Sequence, residues 1–402
     1  MRFDTKLIKE VIDEISMGPF GSNIKVDSFV QSGVPVLNGR NLYGVTLVED
    51  GFNYVTSEKA MSLKKAVASR GDVVVTHRGT LGQIVYIPSD SLYERYVISQ
   101  SQFRIQCNKD VMLPEFMVYY FHTREGQHNL LSNSSQVGVP ALARATTTFQ
   151  ELEIPVPQID VQQEIVNMLS SLDARIANNK KINDNLEQQA QALFFERFGC
   201  VSIDNLPEGW DACHLGDLVI ISNKSFNPVK EPETMLEHYS IPAFDEARFP
   251  VFELSTNIKS NKFFVDEDSF LISKLNPTTK RVWKPYCISE KAVCSTEFIV
   301  YKAKNAANTE FLYSLIDSEL FSAFMCSHVT GSTGSRQRTT PSDTLQFKIV
   351  IPPSDEIEEF TAIVRPMYQI IRNNAIENDK LRRLRNSLLP RLMSGELSDT
   401  DI

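Results

Sequence analysis

The sequence predicts an α+β fold: two similar α/β-type globular domains separated by two long antiparallel coiled-coil helices, an internal repeat with pseudo-two-fold symmetry. Three observations predict it. From Ile165, apolar or small residues recur at alternating spacings of four and three, through Leu169, Leu172 and Ile176 to Leu186, Ala190 and Leu193, with Asn179 and Asn183 in the two remaining seats. Such a heptad seam marks a long helix packed on another helix. Moved on by 195 residues, the same seats hold Phe360, Val364, Met367, Ile371, Asn374, Asn378, Leu381, Arg385 and Leu388, and Ile176–Leu186 matches Ile371–Leu381 at six of eleven positions. Finally, the landmarks that precede each helix recur in the same order, as internal repeats do.

The asparagines predict the pairing. Asn179 and Asn374 lie at the centres of their patterns, so antiparallel helices bring asparagine near asparagine. A buried amide without a partner costs about 1–3 kcal/mol, so Asn179, Asn183, Asn374 and Asn378 would fix the register. On that reading Asn179→Leu stabilises the pair but loosens its alignment. The alternative is that each helix packs on its own domain and the asparagines face water. Pro366 should kink the second helix or mark its start.

In chain order, residues 1–157 form the first domain. Leu7-Ile-Lys-Glu-Val-Ile opens it, and Met17-Gly-Pro-Phe-Gly-Ser is a turn-rich loop. Strand-like runs follow at Val34-Pro-Val-Leu, Asp72-Val-Val-Val-Thr, Gln83-Ile-Val-Tyr-Ile and Gln102-Phe-Arg-Ile. Pro114 to Tyr120 reads as a short amphipathic helix, and Ser132 to Ala145 as a small-residue loop. Residues 158–199 are the first long helix, entered through Ile154-Pro-Val-Pro. Residues 200–353 form the second domain, from Leu206-Pro-Glu-Gly-Trp onward, and residues 354–402 the second helix. Asp268-Ser-Phe-Leu-Ile-Ser answers Asp72, Thr296-Glu-Phe-Ile-Val answers Gln102, and Thr309-Glu-Phe-Leu-Tyr answers Pro114. Between landmarks the copies differ almost completely.

Length and composition fit two or three soluble domains. The net charge is −9 among 402 residues, with the excess acid spread thinly, so a polyanion could bind only through local patches. No run approaches membrane-spanning length, and the first residues lead into no apolar signal core. Six cysteines at no metal-like spacing are expected as free thiols, placing the protein in the cytoplasm with no membrane partner.

Local patches exist. No Asp or Glu falls between Asp72 and Asp90, between Glu125 and Glu151, between Asp268 and Glu290, or between Glu319 and Asp343. These acid-free windows occupy matching places in the two copies. In the second they hold Lys274, Asn276, Thr278, Lys280, Arg281, Lys284, Arg336, Gln337 and Arg338; in the first, His77, Arg78, Gln136 and Arg144. Phosphates repel carboxylates, Arg can fork onto guanine, and Asn or Gln onto adenine, so these residues are the candidate DNA contacts. Trp210 and Trp283 could stack on bases, although a buried core Trp is commoner. The histidines have no ligand spacing, and neither a phosphate-binding G-x-x-x-x-G-K-[ST] loop nor G-x-G-x-x-G is present, so no metal, cofactor or catalytic site is expected.

The chain resembles the specificity subunits of type I restriction–modification systems. The resemblance spans nearly the whole chain. It is carried by the Ile-Pro-x-Pro exit with Gln162-Gln163-Glu164-Ile165, Leu172-Asp173, Asn178-Asn179, Leu186-Glu187 through Phe194, and Leu206-Pro-Glu-Gly-Trp. Ser273-Lys-Leu-Asn-Pro-Thr-Thr-Lys-Arg-Val-Trp, Cys294-Ser-Thr-Glu-Phe and Gly334-Ser-Arg-Gln-Arg add to it. It implies two target recognition domains, each reading half of a bipartite site in double-stranded DNA, without catalysis by this chain. It also implies two modification (methyltransferase) subunits docked on the helices, joined by restriction/translocase subunits. The 29 residues from Ile165 to Leu193 would make a helix of roughly 43 Å, against about 34–36 Å for one DNA turn. Arg385, at an inner seat, departs from the pattern and is expected to face a partner. The competing readings are a stand-alone DNA methyltransferase or nuclease, and a coiled-coil scaffold with no DNA role.

Overall fold

The computed structural model describes residues 3–19, 23–135, 138–331 and 337–397. The chain divides into two compact units, Met1–Ala174 with Leu381–Ile402, and Arg175–Lys380. Each unit thus takes one globular half and a stretch of both long helices.

The first unit begins with β1 (Thr5–Leu7), β2 (Ile12–Met17), β3 (Val34–Val36), β4 (Asn53–Val55), α1 (Ser57–Ser62), β5 (Val67–Ser69) and β6 (Val73–Thr76). Next come β7 (Ile84–Tyr86), β8 (Arg95–Val97), β9 (Gln102–Cys107), α2 (Pro114–Phe121) and α3 (Arg124–Leu131). β10 (Ser134–Ser135), β11 (Ala141–Leu142), α4 (Ala145–Gln150) and β12 (Glu153–Pro155) lead into α5 (Ile159–Phe194). The strands form a sheet ordered β2-β9-β6-β7, a second ordered β4-β3-β8-β5, and the pairs β1-β12 and β10-β11.

The second unit repeats this plan. Its elements are β13 (Asp211–His214), α6 (Leu215–Leu218), β14 (Val219–Ile221), β15 (Ser225–Phe226), β16 (Met235–Tyr239), α7 (Ile241–Ala247), β17 (Val251–Leu254) and β18 (Lys262–Phe264). β19 (Ser269–Ser273), β20 (Val282–Trp283), β21 (Ala292–Ser295) and β22 (Phe298–Ala303) precede α8 (Thr309–Ile316) and α9 (Glu319–Ser327). β23 (Val329–Thr330), β24 (Arg338–Thr339), α10 (Pro341–Thr344) and β25 (Lys348–Ile351) end at α11 (Ser354–Met393). The sheet β14-β22-β19-β20 and the pairs β13-β25 and β23-β24 match the first unit strand for strand. The other sheet, β15-β18-β21-β16-β17, repeats the first unit's second sheet, including its one parallel pair, and adds β15 at an edge. The repeat therefore extends beneath the segments whose sequences diverge.

Burial explains the most apolar strands. Val73 and Val75 of β6 join the core shared with α2, while Val74 faces the core against the second sheet. Phe270 and Ile272 of β19 join the helix-side core, and Leu271 the other. A strand covered on both faces has no solvent side, so its run is continuously apolar where a surface strand would alternate.

The two long helices pair antiparallel, and every seat of the predicted seam is buried or half-buried. Within the second unit Asn179 Nδ2 donates to Asn378 Oδ1 at 3.0 Å, and Asn374 Nδ2 to Asn183 Oδ1 at 2.8 Å. Asn179 is 1% and Asn378 3% exposed, so these amides do not face water. Asn179 Nδ2 also reaches Glu377 at 2.8 Å; that carboxylate is forked by Arg175 at 3.1 and 3.2 Å. These bonds hold the Glu377 carboxyl below its ordinary range. Within the first unit Ile165, Val166 and Leu169 share a core with Leu388, Leu389 and Leu392.

One expectation is narrowed and another corrected. Pro366 does not mark the start of α11, which begins at Ser354; the helix runs through it. Arg385 does not wait for another protein. It pairs with Asp173, whose second oxygen accepts from Tyr119 Oη at 2.9 Å. An inner-seat cation is tolerated because an anion reaches it there. The matching positions of the second unit hold Ala190, Tyr368 and Ser314, the last two bonded hydroxyl to hydroxyl at 2.8 Å. Trp283 is buried, and Trp210 Nε1 donates to Glu356 at 3.1 Å.

Candidate nucleic-acid interface

Each unit brings its two acid-free windows together at one end of the first sheet. Where β6 ends, His77 N donates to Ser101 O at 2.9 Å, and His77 O accepts from Leu142 N at 2.8 Å. Gly79 N donates to Pro140 O at 2.8 Å, and Arg78 bridges Ala141. Where β19 ends, Lys274 N donates to Glu297 O at 2.9 Å, and Lys274 O accepts from Thr339 N at 3.1 Å. Asn276 N donates to Gln337 O at 2.9 Å, and Leu275 bridges Arg338. Gly79 and Asn276 stand at the same step with φ of 95° and 52°, left-handed conformations that glycine and asparagine best tolerate. The junction is one backbone construction made twice, with different side chains on it.

Charge sorts the candidates. Arg78 and Arg144 are exposed and Lys274 half-buried, and none makes an ion pair among the described residues. Arg144 also holds a left-handed φ of 47° at the entry to α4. Burial pushes the His77 pKa below its ordinary value, and Nε2 rests against Gln100 O at 3.2 Å. Asn276 and Gln337 are half-buried at the junction, and Thr278 is exposed beside it. Gln136 and Arg336 lie outside the described residues.

Four candidates meet carboxylates from other segments. Arg338 forks Glu297 at 3.0 and 3.2 Å, and Arg281 forks Asp245 at 2.6 and 2.9 Å. Lys280 lies 3.4 Å from Asp317 and 3.2 Å from Glu319. Lys284 reaches Glu310, 3.2 Å away, and its ammonium also lies 6.0 and 5.7 Å from the ring centres of the neighbouring Tyr313 and Tyr368. Burial pushes the Glu310 carboxyl up, but Arg365 and Lys284 outweigh it and leave it below its ordinary value. Windows without acid in sequence are thus edged by acid in space. These partners were missed because each lies outside the windows; the only signal was Glu297 within the Cys294-Ser-Thr-Glu-Phe motif.

Asp317 carries a pH consequence. Burial lifts its carboxyl from 3.8 to about 6 against the pull of Lys280. The folded protein then binds a proton between pH 4 and 6 that the unfolded chain releases, so this group's contribution falls as pH rises through that window. Asp317→Asn should therefore raise the melting temperature at pH 7, with the gain vanishing near pH 4. A gain independent of pH would show that Asp317 is not the group responsible.

The model of the type I restriction modification DNA specificity domain matches residues 25–188 and again 207–386. The chain belongs to this family. Relatives of the family include the type I restriction enzyme MjaIX specificity subunit of Methanocaldococcus jannaschii, 26% identical and covering 98% of this chain and 93% of that protein. Another, the HindI specificity subunit of Haemophilus influenzae, is 24% identical over 83% of this chain and 88% of its own length. Among solved structures, the type I S subunit of M. genitalium shares the family fold, with a TM-score of 0.59 at 15% identity, covering 98% of this chain and 96% of that one. Among the described residues no group of three or more His, Cys, Asp or Glu could hold a metal, and no helix is long and apolar enough to cross a membrane.

Proposed function

We propose that this member of the specificity family is the non-catalytic DNA-reading subunit of a cytoplasmic type I restriction–modification complex. Residues 1–157 and 200–353 would each read one half of a bipartite site in duplex DNA. The helices of 158–199 and 354–402 would set the separation and dock two methyltransferase subunits, with restriction/translocase subunits joining the assembly. What supports the reading is the paired junction: one backbone frame built twice, bearing Arg78 and Arg144 in one copy and Lys274, Asn276 and Arg338 in the other. Unlike side chains on like frames suit an asymmetric, interrupted target.

Footprinting the complex with its methyltransferase subunits should reveal two protected patches separated by an unprotected spacer. A single uninterrupted patch defeats the two-half-site reading. Methyl transfer by the isolated chain would establish the enzyme alternative instead.

A further inference from the structure

Glu297 occupies a place where a phosphate-binding surface has no use for an acid. It lies in the turn from β21 to β22, and its carbonyl is the one that receives Lys274 N at 2.9 Å. Its carboxylate takes Nε and Nη2 of Arg338 at 3.0 and 3.2 Å, and 30% of the side chain remains exposed. The acid is therefore held in the middle of the second unit's junction, between the two windows that otherwise lack one. In the first unit the equivalent turn presents Ser101, whose carbonyl receives His77 N.

A carboxylate repels the DNA backbone, so it can be accommodated in a DNA-facing junction only away from phosphates. An ionised carboxylate accepts hydrogen bonds and donates none. In the major groove the donors it can meet are the exocyclic amino groups, N4 of cytosine and N6 of adenine. Arg338 occupies one acceptor position on each oxygen, fixes the plane of the group and offsets its charge, leaving further lone pairs on both oxygens. We propose that Glu297 reads one base of the half-site bound by the second unit, by accepting a hydrogen bond from an exocyclic amino group. This rests on the DNA-reading function proposed above.

The test uses the complete complex with its methyltransferase subunits. Base analogues lacking the amino group, purine for adenine and 2-pyrimidinone for cytosine, replace each such base of the second half-site in turn. At one position binding by the native complex should weaken about tenfold to a hundredfold. A Glu297→Ala complex, which has no acceptor left, should be indifferent to the analogue at that position. Because an amide donates as well as accepts, the Glu297→Gln complex should also accept guanine or thymine there, with the first half-site read as before. The inference is overturned if no analogue weakens native binding, which holds even if the variant does not fold. It is equally overturned if Glu297→Gln changes affinity uniformly across sequences, the mark of a purely electrostatic role. A native complex that recognises no bipartite site at all would defeat the underlying DNA-reading function instead.

Discussion

Asn179→Leu should destabilise the second unit, with a loss of about 1–3 kcal/mol, the cost of leaving a buried polar partner unsatisfied. For about 200 residues that corresponds to roughly 2–4 °C of melting temperature per kcal/mol. The structure reverses the sign expected from the sequence alone. Asn179 is the donor to Asn378 Oδ1 and to Glu377; Leu strands the buried Asn378 oxygen, while Glu377 keeps its fork from Arg175. Replacing Asn179 and Asn378 together by Leu removes the stranded acceptor and should recover most of the loss, while Asn183 and Asn374 still mark the register. Removing all four amides should leave a stable but uncommitted seam, able to slip. Thermal unfolding reads the first two outcomes, and the half-site spacing accepted by the assembled complex reads the third. An unchanged melting temperature for the single variant would show that the amide pair contributes nothing.

Arg78→Ala with Arg144→Ala should weaken binding of the assembled complex by about thirtyfold to a thousandfold at physiological salt, two contacts at roughly 1–2 kcal/mol each. Both side chains are exposed and make no ion pair among the described residues, so their removal costs the fold little. If they lie on phosphates, the loss is the same for every sequence, and the slope of log affinity against log salt falls by about two. If they read bases, discrimination relaxes in one half-site only. Lys274→Ala should act on the other half-site. Unchanged binding by both variants, measured by titration at several salt concentrations, would favour the scaffold reading.

The contrast between these variants and substitutions at Arg281 or Arg338 shows what a chain can and cannot reveal. The acid-free windows picked out segments that fold together at one junction, because keeping carboxylates out of a loop is a local property of sequence. The carboxylates that fold against those segments are not local. Asp245 comes from α7, Glu297 from the β21–β22 turn, and Asp317 from between α8 and α9. The seam behaved differently because heptad spacing already encodes which face of a helix is buried. Its antiparallel sense followed from the asparagines, but their cross-pairing, Asn179 with Asn378 and Asn183 with Asn374, is shifted one helical turn from the matched centres.

Sequence by itself determined the repeat, the paired helices, the all-apolar strands and the matched acid-free windows, since periodicity, composition and order along the chain record all of these. Tertiary structure alone decided which candidate cations form ion pairs among the described residues, that the divergent segments share one sheet plan, and that Glu297 stands amid the basic loops. Charge pairing depends on distances of a few ångströms between residues far apart in the chain, and no one-dimensional pattern carries those distances.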